Sequence, residues 1–435
     1  MITTGLSLEQ APPFDVPLRF FLTAPWFLVL AALLLLWQGP AVFASRWLPV
    51  TLALTHLLTV GFMAQVMVGA LLQMLPVVVG VVVPRPRLTA ALIHVPLTLG
   101  ALVLPLAFLS GRPGWFHPAM GLLGFGFGVA LTAILIALWR APVANSTVVA
   151  LRCALGALLV TLGLGLALGV YWCCGLGLPV IVLTHVHTAW GLLGWTVLLV
   201  VGVAYQVVPM LQMTPPYPGW FMRGFAPLMA ALLLAWSVLA LVGAEGMMKW
   251  VGAALAVGIA SFAGVTGYLL TRRRRRIGDP TLGYWWIGMT SLLAGALLWW
   301  ATLLIPALAQ QPHIELLLGV LSIFGFAVAV INGMLYKIVP FLAWFHLQAQ
   351  LLGRAKTPHM KQLLPEKPIR QQWWSCLATL LLLLAAVFHP AVLIYPAALS
   401  LGVTGMWLGV NLLGVWRYYR RVLDAGMATE SLARS

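Results

Sequence analysis

The sequence predicts an all-α polytopic membrane protein, with twelve transmembrane helices in three pseudo-repeated four-helix units. Three observations carry that prediction. Of the 435 residues, 62% are hydrophobic and 7% charged, and the mean hydropathy is +1.03, whereas a soluble domain carries about 25% charged residues. Twelve apolar runs have about the length, roughly 20 residues of helix, that crosses a hydrocarbon core of about 30 Å. A short pattern also recurs on three of them: G-A-L-L-Q-M-L-P (Gly69 to Pro76), G-V-A-Y-Q-V-V-P (Gly202 to Pro209) and G-M-L-Y-K-I-V-P (Gly333 to Pro340). The three prolines stand 133 and 131 residues apart, so one structural unit is expected three times in a row.

The first unit, 18–140, holds the runs 18–37, 48–75, 88–109 and 116–139. The second, 148–270, holds 148–172, 179–209, 224–243 and 248–270. The third, 282–418, holds 282–304, 312–340, 373–389 and 391–416. These runs are continuously apolar rather than alternating, which favours helices over a lipid-facing barrel. The recurring motif always falls on the second run of a unit, so helices two, six and ten are equivalent. Each opens with a proline, Pro49, Pro179 or Pro312, where the missing N–H costs nothing. The motif glycine is expected to admit a neighbouring helix closely. The Gln or Lys lies near the end of the helix, where its polar head can reach water, and the final proline reads as a helix-end signal.

Orientation follows from the basic residues. All 24 Lys and Arg except Arg46, Arg112 and Lys249 fall on the side of the N-terminus and the even-to-odd loops, which places both termini in the cytoplasm of a bacterial-type inner membrane. That asymmetry accounts for the net charge of +16 without nucleic acid as a partner. The run Arg272 to Arg276 reads as a topology anchor, and the basic loop 348–372, with Arg354, Lys356, Lys361, Lys367 and Arg370, as headgroup-facing. Residues 1–17 carry Glu9 and Asp15 and no basic stretch, so a cleaved signal peptide is not expected. No phosphate-loop or hydrolase motif is present, which leaves ATP-driven and hydrolytic chemistry without support.

The chemistry-bearing residues cluster toward the opposite face. His56 stands seven residues after Pro49, and His185 and His187 stand six and eight after Pro179, about 9–12 Å inside the outer helix ends. Imidazole within lipid is costly without a partner, and its usual tasks are metal or haem ligation. His185 and His187 diverge by about 200° around the helix, so one of them is expected to face the partner of His56. In the third unit Gly319 and Val320 occupy the matching positions, with His313 and Glu315 closer to the surface. His117 follows Trp115 and Phe116 and reads as an aromatic-belt residue. Cys153 and Cys376 lie near cytoplasmic helix ends, while the adjacent Cys173 and Cys174 end the fifth helix on the outer side. They read either as buried inert thiols or as ligands of a soft metal such as Cu(I).

Twelve helices in three arcs of four, with His56 on the second and histidines on the sixth, resemble the catalytic subunit (subunit I) of the haem-copper oxidases. Distant relatives share that pattern, including NnrS-type haem and copper membrane proteins and oxidase-subunit-I-like proteins. The stretches Thr55 to Met63, Thr184 to Trp195 and Gly333 to Leu347 look most similar to that last group. The resemblance implies an axial haem-ligand role for His56, and a sixth-helix ligand role for His185 or His187. Two departures matter. The tenth helix, Pro312 to Gly325, has no histidine at the depth where the oxidases carry a pair, and 224–243 on the seventh has none at all.

The implied protein therefore binds haem b through His56 with His185 or His187. Its expected work is electron transfer or handling of a diatomic gas such as nitric oxide, with a redox partner or respiratory subunit, rather than oxygen reduction. Three alternatives stand beside it. One is a copper-handling protein with His56, His185, His187, His313 and Glu315 as ligands near the outer face, joined by Cys173 and Cys174. The others are a cofactor-free assembly subunit and a transporter.

Overall fold

A computed structural model describes residues 11–81, 83–140, 145–274, 278–352 and 357–434. Residues 1–10, Arg275, Arg276, Arg354 and Lys356 lie outside the described residues. Among the described residues there is no strand. Twelve helices are long and apolar enough to cross a membrane: α1 Asp15–Phe43, α2 Pro49–Val77, α3 Pro86–Ser110, α4 Pro113–Trp139, α5 Ser146–Cys174, α6 Val180–Gln212, α7 Gly219–Leu241, α8 Glu245–Thr271, α9 Pro280–Leu304, α10 His313–Leu351, α11 Glu366–Phe388 and α12 Pro390–Gly426. The chain is a multi-pass membrane protein. Leu33, Val95, Leu159, Leu297 and Val403 on the outer helices are exposed, which is where lipid tails replace protein neighbours.

Local chemistry sets many of the helix ends. Proline opens α2, α3, α4 and α9. The Asn145 side chain caps α5 by accepting from the Val148 amide at 2.9 Å, and Asp279 caps α9 by accepting from Thr281 N at 3.0 Å. Gly111 and Gly175, at φ 62° and 65°, end α3 and α5 in the left-handed conformation that a side chain resists.

The motif prolines behave less uniformly than the sequence suggests. Pro76 lies one residue from the end of α2, but α6 runs through Pro209 to Gln212 and α10 through Pro340 to Leu351. Beyond Pro340, Leu342, Ala343, Leu347 and Leu351 are all buried. Packing of that face offsets the one backbone hydrogen bond that proline forfeits.

Helices α2, α6 and α10 form the centre: the most apolar windows of these three are 78, 72 and 61% buried, and no other exceeds 56%. Each contains a stretch of widened π turns, Leu57–Ala64, Trp190–Val197 and Val320–Val328. Such turns inside a helix are frequent at functional sites.

Toward the other end, each motif glycine lets the preceding helix approach. A Cβ built on Gly69 would meet Phe20 Cβ of α1 at 2.7 Å, one on Gly202 Ala150 Cβ of α5 at 3.0 Å, and one on Gly333 Tyr284 Cβ of α9 at 2.7 Å. In the second and third units the motif polar residue engages the same neighbour. Gln206 donates to Thr147 Oγ1 at 3.3 Å, and the Lys337 ammonium pairs with the Asp279 carboxylate. Burial would push the Asp279 carboxyl up, but Lys337 and Thr281 outweigh it and hold the group below its ordinary value.

In the last unit α11 and α12 are joined by hydroxyls: Ser375 with Thr404 at 2.8 Å and Thr379 with Ser400 at 2.7 Å. The loop after α10 forms a short helix, Met360–Leu363, that buries Leu363 while Lys361 pairs with Glu366 at 2.8 Å.

Candidate metal centre

Two intramembrane histidines meet across the helices that carry them. His56 is the last residue before the π turns of α2, and His187 lies three residues before those of α6. Their ring centroids are 6.4 Å apart, with planes 22° from parallel. Each ring is anchored through Nδ1: His56 lies 2.8 Å from the Leu52 carbonyl one turn back, and His187 3.0 Å from the Thr161 carbonyl of α5. A carbonyl only accepts, so Nδ1 carries the proton in both rings and Nε2 is left with a free lone pair. That is the tautomer and the outer-sphere support of a metal-binding imidazole.

The surroundings fix the rings further. Phe108 of α3 lies 5.5 Å from the His56 ring. On the other side Gly165 of α5 makes room, since a Cβ there would stand 3.1 Å from His187 Cε1.

The separation of the rings has the length of a metal-bridged pair. With a metal–nitrogen bond of about 2 Å, an imidazole centroid stands roughly 3 Å from the ion and two opposed rings about 6 Å apart. The 6.4 Å observed matches that span. At the matching position before its π turns α10 carries Gly319, where an added Cβ would meet nothing within 4 Å.

The remaining candidates are placed elsewhere. His185 turns away from the pair and lies 5.6 Å from the Trp47 ring. The Arg46 guanidinium covers Trp47 at 4.4 Å, and its Nε is 2.8 Å from Glu315 Oε2. Burial lowers the proton affinity of Arg46 and Glu315 opposes it, so this pair ties the loop before α2 to the start of α10. His313 packs against Phe388 of α11 at 5.1 Å. Of the five candidate ligands, the structure joins His56 and His187 and sets His185, Glu315 and His313 apart from them.

Sequence reasoning did not reach two features. The bridging position of Arg46 depends on where two sequence-distant helix starts meet, which no local pattern encodes. His117 stands with Cys173 and Cys174, ligand atoms all within 4.8 Å of one another. The signal for that was present: α4 and α5 are joined by a short loop at one end, so the start of α4 and the end of α5 share a level.

No family model and no curated protein matches the chain.

Proposed function

We propose that this protein binds one b-type haem between His56 and His187 and belongs with the subunit-I-like members of the haem-copper oxidase superfamily. Its work is electron transfer or the handling of a diatomic gas such as nitric oxide. The observation that carries the reading is the His56–His187 pair itself: two rings from helices two and six, 6.4 Å apart, each with Nδ1 held by a carbonyl. The three recurring glycine contacts of α2, α6 and α10 support the three-unit architecture that the superfamily implies.

When bound, the haem would supply a one-electron redox couple. The chain's own contribution is positional. Leu52 and Thr161 fix the two tautomers, Phe108 walls the His56 side, and Gly165 admits the His187 ring. Oxygen reduction would lack its ligands, since Pro312 to Gly325 carries no histidine at the depth of the family's tenth-helix pair and Gly219–Leu241 contains no histidine. The excess of basic residues on one side supports cytoplasmic termini in a bacterial-type inner membrane, and a redox partner or respiratory subunit would exchange the electron.

A reduced-minus-oxidised visible spectrum of the purified protein, with haem quantified against polypeptide, tests the reading. Stoichiometric haem with sharp reduced bands supports it. Absence of haem after expression with ample haem supply overturns it.

A further inference from the structure

A second cluster of metal-binding side chains lies at the ends of α4 and α5. We infer that His117, Cys173 and Cys174 form a binding site for a single Cu(I) ion, separate from the His56–His187 pair. His117 opens α4 beside Phe116, and the two cysteines are the last residues of α5 before the left-handed Gly175. Their ligand atoms all lie within 4.8 Å of one another, and the two sulfurs within 2.6 Å. Three ligands on one metal, at bonds of about 2.0–2.3 Å, stand up to roughly 4 Å apart. Side-chain rotation that moves the two sulfurs apart by about 1 Å and brings the imidazole toward them therefore forms the site.

The donor set chooses the metal. Two thiolates and one imidazole are soft ligands, and three of them suit Cu(I), whereas structural zinc sites take four protein ligands. Nothing in the cluster supplies a fourth: the described residues place no other His, Cys, Asp or Glu within the group. His117 is oriented for the role, with Nδ1 3.4 Å from the Gly114 carbonyl and Nε2 left over. His117 and Cys174 are exposed and Cys173 is half-buried, so an ion can enter from the aqueous phase.

Position gives the site a context. Phe116, next to His117, and Trp172, next to Cys173, stack at 5.9 Å, and both contact Phe108, whose other neighbour is the His56 ring. The copper site thus sits at the aqueous end of an aromatic wall whose inner end lines the histidine pair.

Reduced, detergent-purified full-length protein titrated with Cu(I) against a chromophoric Cu(I) chelator tests the site. The expected result is one Cu(I) per chain. Loss of a ligand should cost more than the roughly 10–100-fold that an outer-sphere partner costs. The Cys173→Ser/Cys174→Ser protein should lose the ion, and His117→Ala should bind it at least about tenfold more weakly. The His56→Ala and His187→Ala proteins should bind it as the parent does, so the outcome does not depend on the haem reading. None of the three cluster residues is fully buried, and an unchanged melting temperature shows that the variants remain folded. Absence of bound Cu(I) in the reduced parent, or binding unchanged in the double serine variant, overturns the inference.

Discussion

The two ends of α2, α6 and α10 obey different rules. At the motif end the three helices are alike: a glycine against the preceding helix in every case, and a polar side chain reaching the start of that helix in two of them. At the histidine end they diverge, with His56 on α2, His187 on α6 and the open position of Gly319 on α10. Close packing has one geometric solution and can be repeated, whereas a metal site needs few ligands and is broken by a surplus. The shared end packs the bundle, and the unshared end brings His56 and His187 together.

The largest effect should come from the histidines. His56→Ala or His187→Ala is expected to abolish haem absorption, with the melting temperature nearly unchanged, whereas His185→Ala should retain the full spectrum because its ring packs on Trp47. Loss in the His185 variant with retention in His187→Ala would reverse the assignment of the second ligand.

Next come two glycines on one helix. Gly333→Ala forces a Cβ to 2.7 Å from Tyr284 Cβ, and overpacking of that kind costs about 1–3 kcal/mol. Gly319→Ala meets nothing within 4 Å and should stabilise the helix by roughly 0.5–1 kcal/mol. Thermal unfolding in detergent should move in opposite directions for the two; a shift of the same sign would erase the contrast between the ends.

The ion pair at the motif end gives a pH signature. Lys337 and Asp279 are 22 and 18% exposed, so breaking the pair should cost about 1–2 kcal/mol, less than for a fully buried one. Asp279 is held below its ordinary value of 3.8. Its contribution is therefore complete above that pH and is lost as pH falls through the lowered value in the folded protein. Asp279→Asn should remove this acid-dependent loss from the melting curve, and an unchanged acid limb would show that the pair contributes nothing. The smallest effect belongs to Gln206→Leu, which removes one neutral hydrogen bond to Thr147 and should cost about 0.5–1.5 kcal/mol. A cost matching that of Lys337→Met would mean that charge adds nothing to this contact.

Much of the bundle was legible because lipid imposes a one-dimensional rule. Each crossing needs its own apolar run, so the runs located all twelve helices, and the prolines at 49 and 312 fell within a residue of the starts of α2 and α10. The motif glycines were legible for the same reason, since a missing side chain in a long helix signals a close neighbour. Of the prolines that follow them, Pro76 does lie at a helix end, but Pro209 and Pro340 lie inside their helices, because whether a helix survives a proline depends on the packing beyond it. Leu342, Leu347 and Leu351 supply that packing for α10. Choosing between His185 and His187 also lay beyond the sequence. Periodicity states that they face apart, but only the placement of α5, with Thr161 and Gly165, and of Trp47 on the other side decides which ring meets His56.

The sequence by itself determined the solvent, the number of crossings and the three helices that matter, because hydropathy and periodicity are properties of consecutive residues. Only the tertiary structure decided which side chains share a site. The carbonyl on His187 comes from another helix, Glu315 finds Arg46 across about 270 residues of chain, and His117 reaches Cys173 only because α4 and α5 run antiparallel. Contacts of that kind arise from how helices pack, and no stretch of sequence contains them.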